Sequence, residues 1–187
     1  STPNAACLMD GEFARAVRAM VKLPENPETL KFVSECLKDK HSFACPEFSA
    51  LVFIYVRKEF LDDLESLLIK RIGGTHLPVY FYMAFPKLGT PRANEILLQH
   101  LERMAERGDT DSYGNEYAFA ANAALEFHAN YERLGEIAIT TAKAFKLSNR
   151  WHKNGRNVSH QKPVYELADA VGAALNGHSF AERLEEL

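Results

Sequence analysis

The chain has 187 residues, of which 47% are apolar and 25% charged, and its formal net charge at pH 7 is −3. This length predicts a single domain with a core large enough to fold without a metal or a disulfide. The slight acidic excess argues against a surface that is basic throughout and built to hold nucleic acid or an anionic membrane. It leaves room for a local basic patch.

Cysteine count and hydropathy bear on the compartment. Three cysteines are too sparse for a disulfide framework, which favours a reducing, cytoplasmic location, with a single Cys36–Cys45 bridge left open. The longest apolar run, residues 50–56, is far shorter than the roughly 18 residues that a membrane-spanning helix needs. The first residues lack the charged-then-apolar pattern of a signal peptide. The sequence leaves open whether the start of the chain is processed. We therefore expect a cytoplasmic protein without a membrane segment.

Helix-start and helix-stop residues place the first predicted helices. Asp10 can cap a helix that ends at Pro24, and Asn26 can cap a second helix whose first position is Pro27. Residues 46–72 are predicted as one long helix, because apolar residues recur at helical spacing and no glycine or proline interrupts the stretch. Its front part is β-branched and aromatic and would suit a buried strand, but no second strand is there to pair with it.

The middle of the chain predicts two helices separated by a sharp turn. Residues 75–88 are apolar on most sides, which is typical of a buried helix. Gly89, Thr90 and Pro91 then supply a C-terminal glycine, a capping hydroxyl and a first-turn proline. The residues of the following helix that should face inward are Ala93, Leu97, Leu101 and Met104, and those that should face water are Arg92, Glu95, Gln99, Glu102, Arg103 and Glu106.

The last part of the chain predicts four further helices and one loop. An alanine-rich helix covers residues 113–128, and Asn130 can cap the next one, which runs into a loop at residues 148–162. Pro163 opens another helix, and Ser179 begins a capping box for a short last one. The count is about eight helices with no secure strand, so the predicted fold class is all-α.

Two of the predicted hairpins repeat each other at a separation of 37 residues, since Tyr80, Glu95 and Leu97 align with Tyr117, Glu132 and Leu134. Residues 88–98, LGTPRANEILL, together with the Tyr- and Ala-rich helix that follows, resemble HEAT-like helical repeats of small bacterial proteins. The resemblance covers residues 47–146. It implies a stack of helical hairpins with a concave binding face, of the kind found in partner-binding modules and in immunity proteins that neutralise a toxin. An irregular helical bundle is the alternative architecture.

Sequence signatures of catalysis are absent. The chain has no GxxxxGK, GxGxxG, GxSxG or HExxH motif, so we expect neither an enzyme of those classes nor a cofactor. Cys36, His41 and Cys45 bring soft metal ligands close together, but the spacing lacks a second ligand pair, and a core cysteine beside a loop histidine explains it. We predict no metal site.

An acidic stretch supplies the first group of candidate binding residues. Asp109, Asp111 and Glu116 can cap the helix that follows, or gather around a cation. Beside Tyr113, they can also face a basic protein partner, such as the active site of a nuclease.

A basic stretch supplies the second group. Residues 137–165 contain no Asp or Glu, but they include Arg150, Trp151, Lys153 and Arg156. Such a strip can follow a phosphate backbone, whereas arginine and tryptophan are also hot-spot residues of protein interfaces, and Trp151 can simply anchor the loop to the core.

These observations predict a single all-α domain over residues 1–187, with a repeat-like centre, the basic loop and the C-terminal helices 163–187. The predicted function is that of a protein-binding module, namely an inhibitor or immunity protein that binds a bacterial toxin directly. The alternative is a helical-repeat protein that binds nucleic acid, such as a base-excision enzyme, through the basic strip 143–162.

Overall fold

The structure is a computed structural model that describes residues 26–38, 52–71, 79–110, 116–175 and 180–187. All regular secondary structure in these ranges is helical, which confirms the all-α prediction, while a stack of HEAT-like repeats stays a prediction. The helices are α1 (Pro27–Lys38), α2 (Leu61–Arg71), α3 (Val79–Leu88), α4 (Pro91–Arg107), α5 (Glu116–Leu125), α6 (Tyr131–Leu147), α7 (Lys162–Ala174) and α8 (Phe180–Glu185). None of the helices in the described ranges is long and apolar enough to cross a membrane.

The chain divides into two compact units, Ser1–Leu88 and Gly89–Leu187, and the single-domain assignment stays a prediction. In the first unit, α1 begins as its sequence predicts. The backbone N–H of Thr29 donates to the side chain of Asn26 at 2.9 Å, and Pro27 occupies the first helical position. Val33 and Leu37 are buried on the inner face of α1, which packs against α2. The predicted helix that starts at Asp10 lies outside the described residues.

The prediction of one continuous helix over residues 46–72 is wrong. Residues 52–55 are helical, but Arg57 is extended (φ −131°, ψ 155°), and a 3₁₀ turn at Lys58–Phe60 precedes α2. β-Branched and aromatic residues have low helix propensity, so an interruption of the helix here costs little free energy. Lys87 of α3 completes the break, because its ammonium donates to the carbonyl oxygens of Phe53 and Ile54 at 2.5 and 2.9 Å.

The second unit opens with the turn that the sequence predicts. Gly89 has a positive φ of 63°, the hydroxyl of Thr90 accepts from the N–H of Ala93 at 3.1 Å, and Pro91 is the first residue of α4. The helix ends at Gly108, which is left-handed (φ 61°), as is typical of a glycine C-cap. The predicted inward positions Ala93, Leu97, Leu101 and Met104 are all buried.

Helix α6 is the centre of the second unit, where it packs against α4, α5, α7 and α8. Leu134, Ile137, Ala138, Thr141 and Phe145 are buried on its inner face, at helical spacing. Asn130 precedes it but makes no capping hydrogen bond with its side chain, contrary to prediction. Instead, the Asn130 amide exchanges hydrogen bonds of 2.6 and 2.8 Å with the amide of Asn94 and donates to the carbonyl of Ala124. The pair therefore fastens the start of α6 to α4.

The remaining boundaries are close to prediction. Helix α5 ends at Leu125 rather than at residue 128, because a 3₁₀ turn at His128–Asn130 intervenes. Residues 148–161 are not helical, and α7 begins at Lys162 with Pro163 in its first turn. Helix α8 begins at Phe180, and the predicted capping residue Ser179 lies outside the described residues.

Candidate functional site

Of the predicted acidic group, Glu116 does not face solvent. Glu116 is only 8% exposed, and the neighbouring Tyr117 is fully buried, with its hydroxyl 3.1 Å from that of Thr141. The expectation that Glu116 faces solvent is wrong, because α5 packs against α4, α6 and α7. Asp109 is half-buried, and its N–H bonds to the carbonyl of Met104, which closes the C-terminal end of α4. Asp111 and Tyr113 lie outside the described residues.

The basic group lies on a loop, residues 148–161, that is fixed from inside. The side chain of Gln161 is completely buried, and it accepts from the N–H of His152 at 3.0 Å and donates to the carbonyl of His152 at 3.1 Å. The buried hydroxyl of Thr110 donates to the carbonyl of His160 at 2.6 Å, and the imidazole Nε2 of His160 lies 2.8 Å from the carbonyl of Arg150. The side chains of Thr110, His160 and Gln161 thus hold the backbone at both ends of the loop.

Glycine and asparagine make this conformation sterically available. A Cβ atom at Gly155 would lie 2.5 Å from the side chain of Gln161 and 2.6 Å from the carbonyl of His152, so only glycine fits there. Asn149 and Asn154 have positive φ values of 56° and 60°, a region that asparagine tolerates better than most residues.

Three of the four predicted basic-loop residues make contacts within the fold. Trp151 is half-buried and stacks on Tyr165, with ring centroids 5.6 Å apart. The guanidinium of Arg156 lies 4.7 Å from the centre of the same Tyr165 ring. Arg150 lies over the ring of Phe145 and donates to the carbonyl of Gly108. Lys153 is exposed, and none of the described residues forms a hydrogen bond or an ion pair with it.

Arg156 is also neutralised by carboxylates. It donates to Asp169 at 2.8 Å and lies 3.1 Å from Glu185. The hydrogen bond with Asp169 raises the pKa of Arg156, so Arg156 stays protonated and paired with this carboxylate. The structural interpretation of Trp151, as an anchor of the loop, agrees with these contacts, whereas a role of the four residues in partner binding stays a prediction.

Two grooves that the sequence did not predict flank the exposed edge of α6. The groove between α4 and α6 has a volume of about 230 Å³, and the groove between α6 and α8 has a volume of about 470 Å³. Residues that line the first groove are Glu102, Ala105, Glu106, Arg133, Glu136, Ile137 and Thr140, and residues that line the second are Glu132, Arg133, Glu136, Phe180 and Arg183. We call them the acidic grooves, because four carboxylates and two guanidinium groups line them together.

Arg133 shapes both grooves. It forms a bidentate pair with Glu102 at 2.6 and 2.9 Å, and a second one with Glu95 at 2.7 and 3.1 Å. These pairs connect α4 to α6, and the hydrogen bonds with Arg133 hold the pKa of Glu95 below its usual range. On the other side, Arg183 of α8 pairs with Glu136 at 2.5 Å and lowers the pKa of that carboxyl.

Two carboxylates of the grooves are unpaired. Glu106 and Glu132 are exposed, and neither forms an ion pair with a described residue. The sequence predicted that the glutamates of α4 face water, but Glu95 and Glu102 are instead half-buried by Arg133. The signal for the grooves was the helical spacing of acidic residues on both α4 and α6, which becomes informative only once these helices are known to pack together.

Metal binding finds no support in the described part of the chain. Among those residues, no group of three or more His, Cys, Asp or Glu side chains could hold a metal ion. The side chain of Cys36, together with His41 and Cys45, lies outside the described residues.

Comparison with known proteins gives no relative: no family model matches the chain, and neither a curated protein nor a solved structure does.

Proposed function

We propose that this chain is a protein-binding module that holds a basic region of a partner protein in its acidic grooves. The observation that carries the proposal is the pair of adjoining grooves on α6, in which Glu106 and Glu132 keep unpaired charges at the surface. Carboxylates beside a concave surface complement a cationic partner, which accelerates the encounter and disfavours acidic partners.

The form of the grooves favours a protein partner. Their floors include the apolar side chains of Ala105, Ile137 and Phe180, and protein interfaces combine such an apolar centre with a polar rim. The two bidentate pairs of Arg133 hold Glu95 and Glu102 in fixed positions. Binding to a preorganised surface loses less conformational entropy, which raises affinity without any further contact.

An inhibitor of a toxin is the specific function that we propose. Enzymes that cleave nucleic acids bind the phosphate backbone with lysine and arginine, so the two unpaired carboxylates, Glu106 and Glu132, can occupy the same cationic site. The acidic grooves have this chemistry. An immunity protein of this kind needs no catalytic residue and no cofactor.

Nucleic-acid binding through the basic strip is the weaker alternative. Of the six basic residues between positions 143 and 162, four have partners: Lys146 with the carbonyl of Leu187, Arg150 with that of Gly108, Arg156 with Asp169 and Glu185, and Lys162 with Glu166. Proteins that follow a phosphate backbone neutralise on the order of six to ten phosphates. Arg156 and Lys162 are paired with carboxylates, so these two cations contribute little to such binding, and Lys146 and Arg150 are held in place by their carbonyl partners.

Co-purification of the tagged chain with the products of adjacent open reading frames tests the proposal. We expect a basic protein to be retained at low salt and released as the salt concentration rises. The double variant Glu106→Gln and Glu132→Gln should weaken this complex about tenfold, while Glu126→Gln, an exposed glutamate after α5, should leave it unchanged.

Two results would overturn the proposal. One is a complex that is equally strong with the double variant and with the Glu126→Gln control. The other is the absence of any binding partner, combined with cells that survive deletion of the gene in the presence of toxin-producing relatives.

A further inference from the structure

The 148–161 loop is long, and several of its side chains take no part in the core. Its 14 residues form no regular secondary structure. Connections of this length within a compact unit are uncommon, and they are usually either functional or disordered. The clamp by Gln161 and the bonds from Thr110 and His160 give this loop one conformation. Because these bonds hold the backbone of the loop, a functional role explains its length better than disorder does.

The side chains of the loop fall into two groups. Those that hold its shape, such as Trp151, point into contacts with α7, and Gln161 is buried beneath the backbone. From His152 onward, the exposed side chains other than the paired Arg156 are polar and each can donate a hydrogen bond: His152, Lys153, Asn154, Asn157 and Ser159. We call these five residues the loop tip. None of them is needed for the hydrophobic core.

All charged residues in the sequence around the loop are basic. Residues 137–165 contain no Asp or Glu, and the carboxylates that approach the loop from α7 and α8, Asp169 and Glu185, are already paired with Arg156. Lys153 is thus a cation that no described carboxylate neutralises. The ligand that complements such a surface is an anion with several acceptor oxygens.

We infer that the loop tip is a second recognition surface, separate from the acidic grooves, and that it binds an acidic segment of a protein. A protein segment is favoured over nucleic acid, because the tip offers one unpaired lysine among neutral donors. This set suits a carboxylate surrounded by backbone carbonyl groups, whereas an evenly charged phosphate backbone needs several cations in a row.

Trp151 allows a direct test, since it is the only tryptophan of the chain and lies in the loop. The probes are a synthetic peptide of about ten alternating Glu and Ser residues, its counterpart with Gln in place of Glu, and a single-stranded DNA of equal charge. Each is titrated at low ionic strength, and Trp151 emission is recorded. We expect the acidic peptide to bind, the neutral peptide not to bind, and the DNA to bind more weakly than the acidic peptide.

Variants separate recognition by the loop from simple attraction to a lysine. Lys153→Glu should raise the dissociation constant of the acidic peptide about tenfold, whereas Lys58→Glu, at an exposed lysine of the first unit, should change it less than about twofold. Gln161→Ala keeps Lys153 but removes the clamp on His152, and it should also weaken binding, because the tip is no longer preorganised. Circular dichroism confirms that each variant is folded.

The inference is overturned if the DNA binds more tightly than the acidic peptide, if neither probe changes Trp151 emission at millimolar concentration, or if Lys153→Glu and Lys58→Glu have equal effects. The groove variants Glu106→Gln and Glu132→Gln should not weaken peptide binding. Failure at the loop tip therefore leaves the proposed function of the acidic grooves standing, and the reverse also holds.

Discussion

Replacement of Arg133 by methionine tests whether the acidic grooves are held by charge. Methionine keeps most of the apolar stem and removes the guanidinium, which makes four hydrogen bonds to Glu95 and Glu102. The three side chains are 36–46% exposed, so each ion pair is screened and contributes only about 0.5–1 kcal/mol. Two bidentate pairs give about 1–2 kcal/mol, and the two carboxylates then repel each other. We expect Arg133→Met to lower the free energy of unfolding by about 2 kcal/mol.

The loss should depend on pH in a defined direction. Hydrogen bonding to Arg133 lowers the pKa of Glu95 below its ordinary value of 4.5 in the folded chain. A carboxyl with a lowered pKa stabilises the fold above the unfolded value and loses that contribution as pH falls through the folded value. The difference between the wild type and Arg133→Met should therefore be full at pH 7 and smaller below about pH 4.

Urea denaturation followed by circular dichroism measures this difference at pH 7 and at pH 3. Arg107→Met, at an exposed arginine of the same helix α4, is the matched control and should change stability by less than about 0.5 kcal/mol. A double-mutant cycle with Glu95→Gln isolates the pair, and we expect a coupling of about 0.5–1 kcal/mol. Equal stability of Arg133→Met and Arg107→Met, or a coupling near zero, would refute the reasoning.

Other substitutions probe the packing of the second unit. Gly135→Ala should cost about 1–3 kcal/mol in thermal unfolding, because the new methyl group would overlap the ring of Phe180, and the added change Phe180→Leu should recover part of the loss. Burial lowers the pKa of His100 from 6.5 to about 4, so stability should fall between pH 6.5 and pH 4 by at most about 1.4 kcal/mol per pH unit, and His100→Leu should flatten this slope. Asn130→Ala should cost about 1–3 kcal/mol in urea, and its effect should not add to that of Asn94→Ala, since both remove one hydrogen-bonded pair; additive losses would contradict this.

Helix ends were predictable from sequence wherever their capping is local. Asn26 with Pro27, and Thr90 with Pro91, satisfy the first backbone N–H groups with atoms no more than three residues away. The break at Arg57 was not predictable, because it depends on Lys87, which lies about 30 residues further along and supplies the hydrogen bonds that end the helical turn. Asn130 fits the same rule. Its sequence position suits a cap, but its amide bonds to Asn94 across the fold.

The candidate surfaces show the same difference between features set by nearby residues and features set by distant ones. The sequence predicted a basic loop at residues 148–162, because the charge pattern and the lack of helical spacing are local properties. It could not show that Thr110 and Gln161 hold that loop from inside, or that Arg156 is neutralised by Asp169. The acidic grooves were likewise inaccessible, since they appear only when α4 and α8 pack on either side of α6.

Helix α6 explains how both surfaces coexist in a chain with a net charge of only −3. The acidic grooves lie beside its first three turns, from Glu132 to Thr140, and the loop begins at its C-terminal end. At 1.5 Å per residue, Glu132 and the first loop residue, Ser148, are about 24 Å apart along the helix axis. Charges near these two positions are separated by more than twice the screening length of about 8 Å at physiological salt, so they are largely screened from each other. The far end of the first groove is nearer to the loop, since Glu106 lies two residues before Gly108, whose carbonyl accepts from Arg150. A substitution at Glu132 should therefore leave the loop tip unaffected, whereas a cavity in the buried face of α6 should weaken both surfaces together.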